Sequence, residues 1–191
     1  MKLLPMVLRL KIPYVTIYAL STENWARDKA EIQGLMQLVR YVLTKQLQIF
    51  IKQDIRIRII GSREHLPPGI DGLLDRAEQE TAHCSGMVLG ICFNYGGQQE
   101  IADACKGVMA SGVEAGGVTP ELIASHLYAA DMPPLDLVVR TSGEQRLSGF
   151  MLWQASYAEL YFTDVLWPDF DEAELTKALR DYAARGRRFG S

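Results

Sequence analysis

Five short apolar runs alternate with longer stretches of helical periodicity, and this alternation constrains the fold more than any other feature. The runs cover residues 14–20 (YVTIYAL), 55–60 (IRIRII), 87–93 (MVLGICF), 135–139 (LDLVV) and 159–165 (ELYFTDV). Several read as near-continuous hydrophobic strands, the pattern of a parallel sheet covered on both faces. The 55–60 run alternates Ile with Arg, so one of its faces is wet and it is expected near an edge. Between the runs, residues 28 to about 53 carry Ile32, Leu35, Met36, Val39, Val42, Leu43, Leu47 and Phe50 at three- and four-residue spacings,. Residues 70–82, 98–110 and 120–128 follow, the last with Thr119 as N-cap and Pro120 at the first helical position,. A final helix from 171 to about 188 begins with acids and ends with arginines, matching the helix dipole,. The fold class expected is α/β, a mainly parallel sheet flanked by helices. No internal repeat is present, and the glycine-bearing stretch 111–119 reads as a loop within one domain spanning residues 1–191.

Composition narrows the function classes. The chain is 48% apolar and 23% charged, which excludes a disordered, collagenous or disulfide-scaffolded protein,. A formal net charge of −3 argues against a general nucleic-acid binder,. Cys84, Cys92 and Cys105 are odd in number without C-x-x-C spacing, so neither a disulfide framework nor a zinc site is indicated, and a reduced, cytoplasmic chain is expected,. The apolar opening is broken by Pro5 and Arg9 and lacks a cleavage site,. No segment approaches the roughly 20 apolar residues of a membrane span.

In open parallel sheets, ligands bind beyond the carboxyl ends of the strands. The polar segments leaving the strands are therefore the places to look. Arg140-Thr-Ser-Gly-Glu-Gln-Arg146-Leu-Ser148 joins two guanidinium forks, hydroxyls and a glycine turn. That set suits a small, doubly charged anion such as a diphosphate. An Arg–Glu144 surface network fits the same spacing equally well. Ser21-Thr-Glu-Asn24-Trp25-Ala-Arg27 leaves the first strand. Ser and Asn can relay hydrogen bonds and Arg27 can reach a phosphate; the plainer reading makes Asn24 or Asp28 a helix cap and Trp25 a packing residue. Asn94-Tyr95-Gly96-Gly97 reads as a strand-to-helix turn. Glu159 stands among apolar neighbours, so it is either an arginine partner or a metal ligand. His65, His83 and His126 share no spacing. The stripe Leu35, Val39, Val42, Leu43 reads as core, with a hydrophobic tunnel wall as the alternative.

Taken in order, these motifs resemble the cis-prenyltransferases, and within them the bacterial undecaprenyl diphosphate synthases (isoprenyl transferases). The likeness runs from about residue 14 to residue 190. It is carried by YALSTENWAR, IRIIG, NYGG, RTSGEQRLS, WQASYAELYF, LWPDF and a terminal RRFG. The resemblance implies an enzyme that condenses isopentenyl diphosphate onto an allylic diphosphate such as farnesyl diphosphate, forming cis double bonds and a polyprenyl diphosphate such as undecaprenyl diphosphate. It implies that Arg140, Arg146 and Ser148 hold the diphosphate of isopentenyl diphosphate, and that Glu159 helps to bind Mg²⁺. Ser21 and Asn24 match the hydrogen-bonding group implicated in proton removal, and Trp25 and Arg27 match a loop that orders over substrate. Arg188 and Gly190 match an element near a homodimer interface. A cytoplasmic enzyme associated with the inner face of the membrane, delivering its product there, is the implied setting.

The departures are equally specific. Family members open with a strand and an M-D-G-N-G-R-W loop whose aspartate coordinates Mg²⁺ and whose glycines and arginine cradle the allylic diphosphate. No such loop occurs in this sequence. Asp28 replaces a proline, Gln98 an arginine and Gly149 an asparagine usual in the family. The expectation is an N-terminally truncated domain whose 191 residues are inactive alone; a non-catalytic accessory subunit acting through dimer contacts is the alternative. Removing an internal strand is also expected to leave the domain marginally stable.

Overall fold

A computed structural model describes residues 3–186. In chain order the elements are α1 (Leu4–Arg9), β1 (Tyr14–Ser21), α2 (Lys29–Lys45), α3 (Leu47–Lys52), β2 (Ile55–Ile60), α4 (Ile70–Thr81), β3 (Met87–Tyr95), α5 (Gly97–Ala110), α6 (Pro120–Ala124), β4 (Leu137–Arg140), β5 (Glu159–Phe162) and α7 (Glu172–Ala184). They fall into two compact units, Lys11–Asp131 and residues 3–10 with 132–186. Every strand pairing among the described residues is parallel.

The first unit is built on a three-stranded sheet of order β1-β3-β2. β3 is central, its register running from Met87 opposite Ile55 to Cys92 opposite Ile60 on one side. Its apolar run is buried along most of its length, as are Ile55, Ile57 and Ile60 of β2. Full burial of such a side chain stabilises the fold by about 1.5–3 kcal/mol, so this small sheet is the energetic centre of the unit. The expected edge position of β2 is what the fold displays. Its outward amides are not left open: Ile57 N–H donates to Thr81 Oγ1 at 3.0 Å and Ile59 N–H to Glu78 Oε1 at 2.9 Å. Side chains from α4 thus cap the edge that a neighbouring strand would otherwise pair with. Between the isoleucines, Arg58 pairs with Glu78 and Asp131. The opposite edge strand, β1, is more open, with Tyr14 and Ile17 exposed.

The periodicity over 28–53 resolves into two helices rather than one. Gln46 closes α2 and opens α3, at φ −109° and ψ −2°. Leu47 and Phe50 after the break are buried like Met36 and Leu43 before it. Asp28 caps α2 by accepting from Ala30 N at 2.8 Å. Thr119 caps α6 through Leu122 N at 3.2 Å, as its position before Pro120 predicts, although that helix stops at Ala124.

The second unit holds the two-stranded ladder β4-β5. Its strands are shorter than the apolar runs, 137–140 and 159–162. Asp171 starts α7 by accepting from the amides of Ala173 and Glu174. Arg9 at the end of α1 pairs with Glu172. No helix among the described residues is long and apolar enough to cross a membrane.

Candidate active site

Ser21, Asn24, Trp25 and Arg27 all lie at the carboxyl end of β1, where the rule for parallel sheets places a ligand. The chain leaves Ser21 through a 3-10 turn over Thr22–Ala26. Ser21 N–H donates to Asn24 Oδ1 at 3.0 Å, and Arg27 N–H to Asn24 O at 3.0 Å. The plainer reading of Asn24 as a capping group therefore describes what its side chain does in this structure. Arg27 pairs with Glu31 at 2.5 Å with both side chains mostly in solvent, an exchangeable partnership that an incoming anion can replace.

Two compensating irregularities shape this end of the sheet. Along the β1–β3 ladder, Tyr18 opposes Cys92, Leu20 opposes Phe93 and Ser21 opposes Tyr95. Ala19 is thus the extra residue on β1 and Asn94 the extra residue on β3, the arrangement of bulges that re-aim side chains next to functional sites. Asn94 has φ +51°, in the left-handed region that asparagine tolerates better than most residues. Its Oδ1 accepts from Trp25 Nε1 at 2.7 Å, and its Nδ2 donates to the carbonyls of Ser62 and Glu64 at 2.9 and 3.0 Å. The N-Y-G-G segment reads as a strand-to-helix turn, and the turn falls at its glycines: β3 runs through Asn94 and Tyr95, and α5 begins at Gly97. Gly61, at φ +147°, has no room for a side chain, since a Cβ there would stand 2.0 Å from the Phe93 carbonyl oxygen.

The second group belongs to the other unit. Arg140 ends β4, half-buried, and the chain then winds through left-handed backbone at Ser142, Gly143, Ser148 and Gly149. Ser142 N–H and Gly143 N–H donate to Val165 O and Thr163 O at 2.9 and 3.0 Å, tying the loop to the segment after β5. Arg146 and Ser148 are exposed on this loop. Arg146 pairs with Glu144, so the surface-network reading holds for it without removing its charge from solvent.

Glu159 is placed differently from the rest of its group. It begins β5 opposite Leu137, whereas Arg140 stands opposite Phe162 at the other end of the ladder. Three residues of strand separate the two levels, about 10 Å. Of the two readings open for Glu159, the arginine partner is realised: Arg185 Nη1 donates to its Oε2 at 2.7 Å. Arg185 also pairs with Asp181. Neither this partnership nor the Asn94–Trp25 bond is legible from spacing, because both join residues distant in sequence. Among the described residues no three His, Cys, Asp or Glu side chains gather to hold a metal ion. A Mg²⁺ carried by a diphosphate commonly takes only one or two protein carboxylates beside phosphate oxygens, so a single carboxylate such as Glu159 would suffice in number. Arg188 and Gly190 lie outside the described residues.

A parallel α/β fold with polar, arginine-bearing loops beyond its strands is suited to binding an anion, and comparison with known proteins gives the class of enzyme. A family model described as "Putative undecaprenyl diphosphate synthase" matches residues 1–190. An isoprenyl transferase of Agrobacterium fabrum is 43% identical over 184 residues, covering 94% of this chain and 74% of the relative. A probable undecaprenyl diphosphate synthase from Campylobacter jejuni superposes with a TM-score of 0.90 at 32% identity, over 100% of this chain and 89% of that one. Lavandulyl diphosphate synthase from Lavandula x intermedia, in complex with dimethylallyl diphosphate, gives a TM-score of 0.94 at 33% identity, over 100% of this chain and 84% of that one. The chain belongs to the undecaprenyl diphosphate synthase (isoprenyl transferase) family of cis-prenyltransferases, which are prenyl-transferring enzymes.

Proposed function

We propose that the protein acts on isopentenyl diphosphate and an allylic diphosphate such as farnesyl diphosphate, building a polyprenyl diphosphate of the undecaprenyl type with cis double bonds. The observation that carries this reading is the loop after β4, where Arg140, Arg146 and Ser148 follow one strand end on backbone wound by four left-handed residues. Arginine forks and hydroxyls on such a loop match the oxygens of a diphosphate, and charge-assisted bonds of that kind are the strong ones. The dimethylallyl diphosphate bound by the lavender enzyme supports an allylic diphosphate as the second substrate.

In this reading Arg140, Arg146 and Ser148 hold the diphosphate of isopentenyl diphosphate, with Arg146 exchanging Glu144 for phosphate oxygens. Ser21 and Asn24 occupy the turn where a proton leaves the substrate, and Trp25 and Arg27 close over it. Glu159 would help to hold Mg²⁺. When bound, that ion offsets the negative charge that develops on the departing diphosphate. The family match across residues 1–190 supports treating both units as parts of one family domain. Homodimerisation, a cytoplasmic setting and delivery of product to the inner membrane face belong to the same proposal.

The D-G-N-G-R loop is absent from the sequence, so we further propose that these 191 residues alone do not turn over. Incorporation of radiolabelled isopentenyl diphosphate onto farnesyl diphosphate tests this. Negligible product is expected, and turnover near that of a full-length relative contradicts it.

A further inference from the structure

We propose that Asn94 is a positioning residue that acts through the Trp25 indole to fix the turn bearing Ser21, Asn24 and Arg27; its relevance to substrate rests on the functional reading above.

Asn94 is 6% exposed, and its carboxamide sits where three segments meet: the turn after β1, the loop after β2 and the end of β3. Its orientation is chemically determined. An indole N–H only donates, and the carbonyls of Ser62 and Glu64 only accept, so Oδ1 must face Trp25 and Nδ2 the two carbonyls. An asparagine present only to relieve left-handed backbone would not need a buried carboxamide with both donors and an acceptor engaged. Asn94 stands at a register shift of the β1–β3 ladder, the kind of bulge that re-aims a side chain.

A second contact holds the same turn from the adjoining residues. Thr22 packs so closely on Gly96 that a Cβ there would stand 2.6 Å from Thr22 Oγ1. The turn is therefore clamped at Thr22 and at Trp25. Between and beyond these points lie the groups assigned to substrate. Asn24 is held by Ser21, and the Arg27 amide is held by the Asn24 carbonyl. Releasing Trp25 removes one of the two clamps and loosens the side of the turn that carries Arg27.

The test is nuclear magnetic resonance of the ¹⁵N-labelled 191-residue chain without ligand. The Trp25 indole signal is assigned among three tryptophans by Trp25→Phe. Asn94→Gly keeps the left-handed backbone comfortable while deleting the carboxamide. In Asn94→Gly the indole proton is expected to move upfield and to exchange at least about tenfold faster, with the Ile57 amide unchanged as a control for the core. Trp25→Phe, which leaves the bonds from Asn94 to Ser62 and Glu64 in place, is expected to speed exchange at the Arg27 amide, and it decides the matter if Asn94→Gly does not fold. An unchanged indole in folded Asn94→Gly, or an unchanged Arg27 amide in Trp25→Phe, overturns the proposal. Because no ligand is involved, either result leaves the diphosphate assignment standing, and a failed diphosphate titration leaves this one standing.

Discussion

The Tyr95 hydroxyl donates to Glu100 Oε2 at 2.6 Å, and neither side chain has any exposure to solvent. The other carboxyl oxygen accepts the Tyr128 amide at 3.1 Å. Burial, with Glu100 beside it, pushes the Tyr95 phenol far above its usual range, so it stays a donor at every working pH. A buried acid in the first turn of α5 is thus tied to the last residue of β3, next to the Asn94 bulge.

Tyr95→Phe isolates that hydroxyl. The edge-on contact with the Tyr18 ring, at 5.9 Å between centroids, and the bond from Tyr18 Oη to the Tyr95 carbonyl are compatible with phenylalanine. The expected cost is about 1–3 kcal/mol, because a buried acceptor loses a donor with no water to replace it. Urea unfolding followed by circular dichroism measures it; an unchanged midpoint would mean that the bond contributes nothing.

Acid should weaken the Arg58–Asp131 link. The hydrogen bond from Arg58, at 2.7 Å, holds the Asp131 carboxyl below its ordinary range. A depressed folded value means that the stabilisation is fully present above the unfolded value of about 3.9 and is lost as pH falls through the folded value. Asp131 is largely exposed, so solvent screening limits the effect to about 0.5 kcal/mol. Comparing urea midpoints at neutral and acid pH, Asp131→Asn should lose slightly less on acidification than the parent. An equal or larger loss would place the acid-sensitive group elsewhere.

Thiol labelling should separate the cysteines. Cys105 is exposed, whereas Cys84 and Cys92 are buried and burial raises both thiols. A thiol held protonated and out of reach is unreactive. A chromogenic disulfide reagent at neutral pH should label one thiol in the native protein and three after unfolding. Rapid labelling of more than one would show that Cys84, before β3, or Cys92, within it, becomes accessible in the native protein.

What the sequence makes legible follows the range of the interaction concerned. Strand positions, the edge character of the Ile-Arg run and the Thr119 cap depend on periodicity or on neighbours within four residues, and they appear where expected. The break at Gln46 is not legible, because Leu47 and Phe50 continue the three- and four-residue spacing straight across it. Ser21, Asn24, Trp25 and Arg27 fall on one turn as their motif implies. Arg140 ends β4, and Arg146 and Ser148 fall on the loop that leaves it. Glu159 lies at the far end of its ladder, paired with Arg185, and only strand register reveals this. Asn94 reads as a turn residue from spacing and proves to be a bulge with a buried carboxamide.

The account stands most directly on the Arg140–Ser148 loop as a diphosphate site, and calorimetric titration of isopentenyl diphosphate with Mg²⁺ into the chain tests it. Saturable binding is predicted, weakened about tenfold or more by Arg146→Ala, since a charge-assisted bond contributes about 1.5–3 kcal/mol. Binding of equal strength in Arg146→Ala, or no binding to the parent chain, would contradict it.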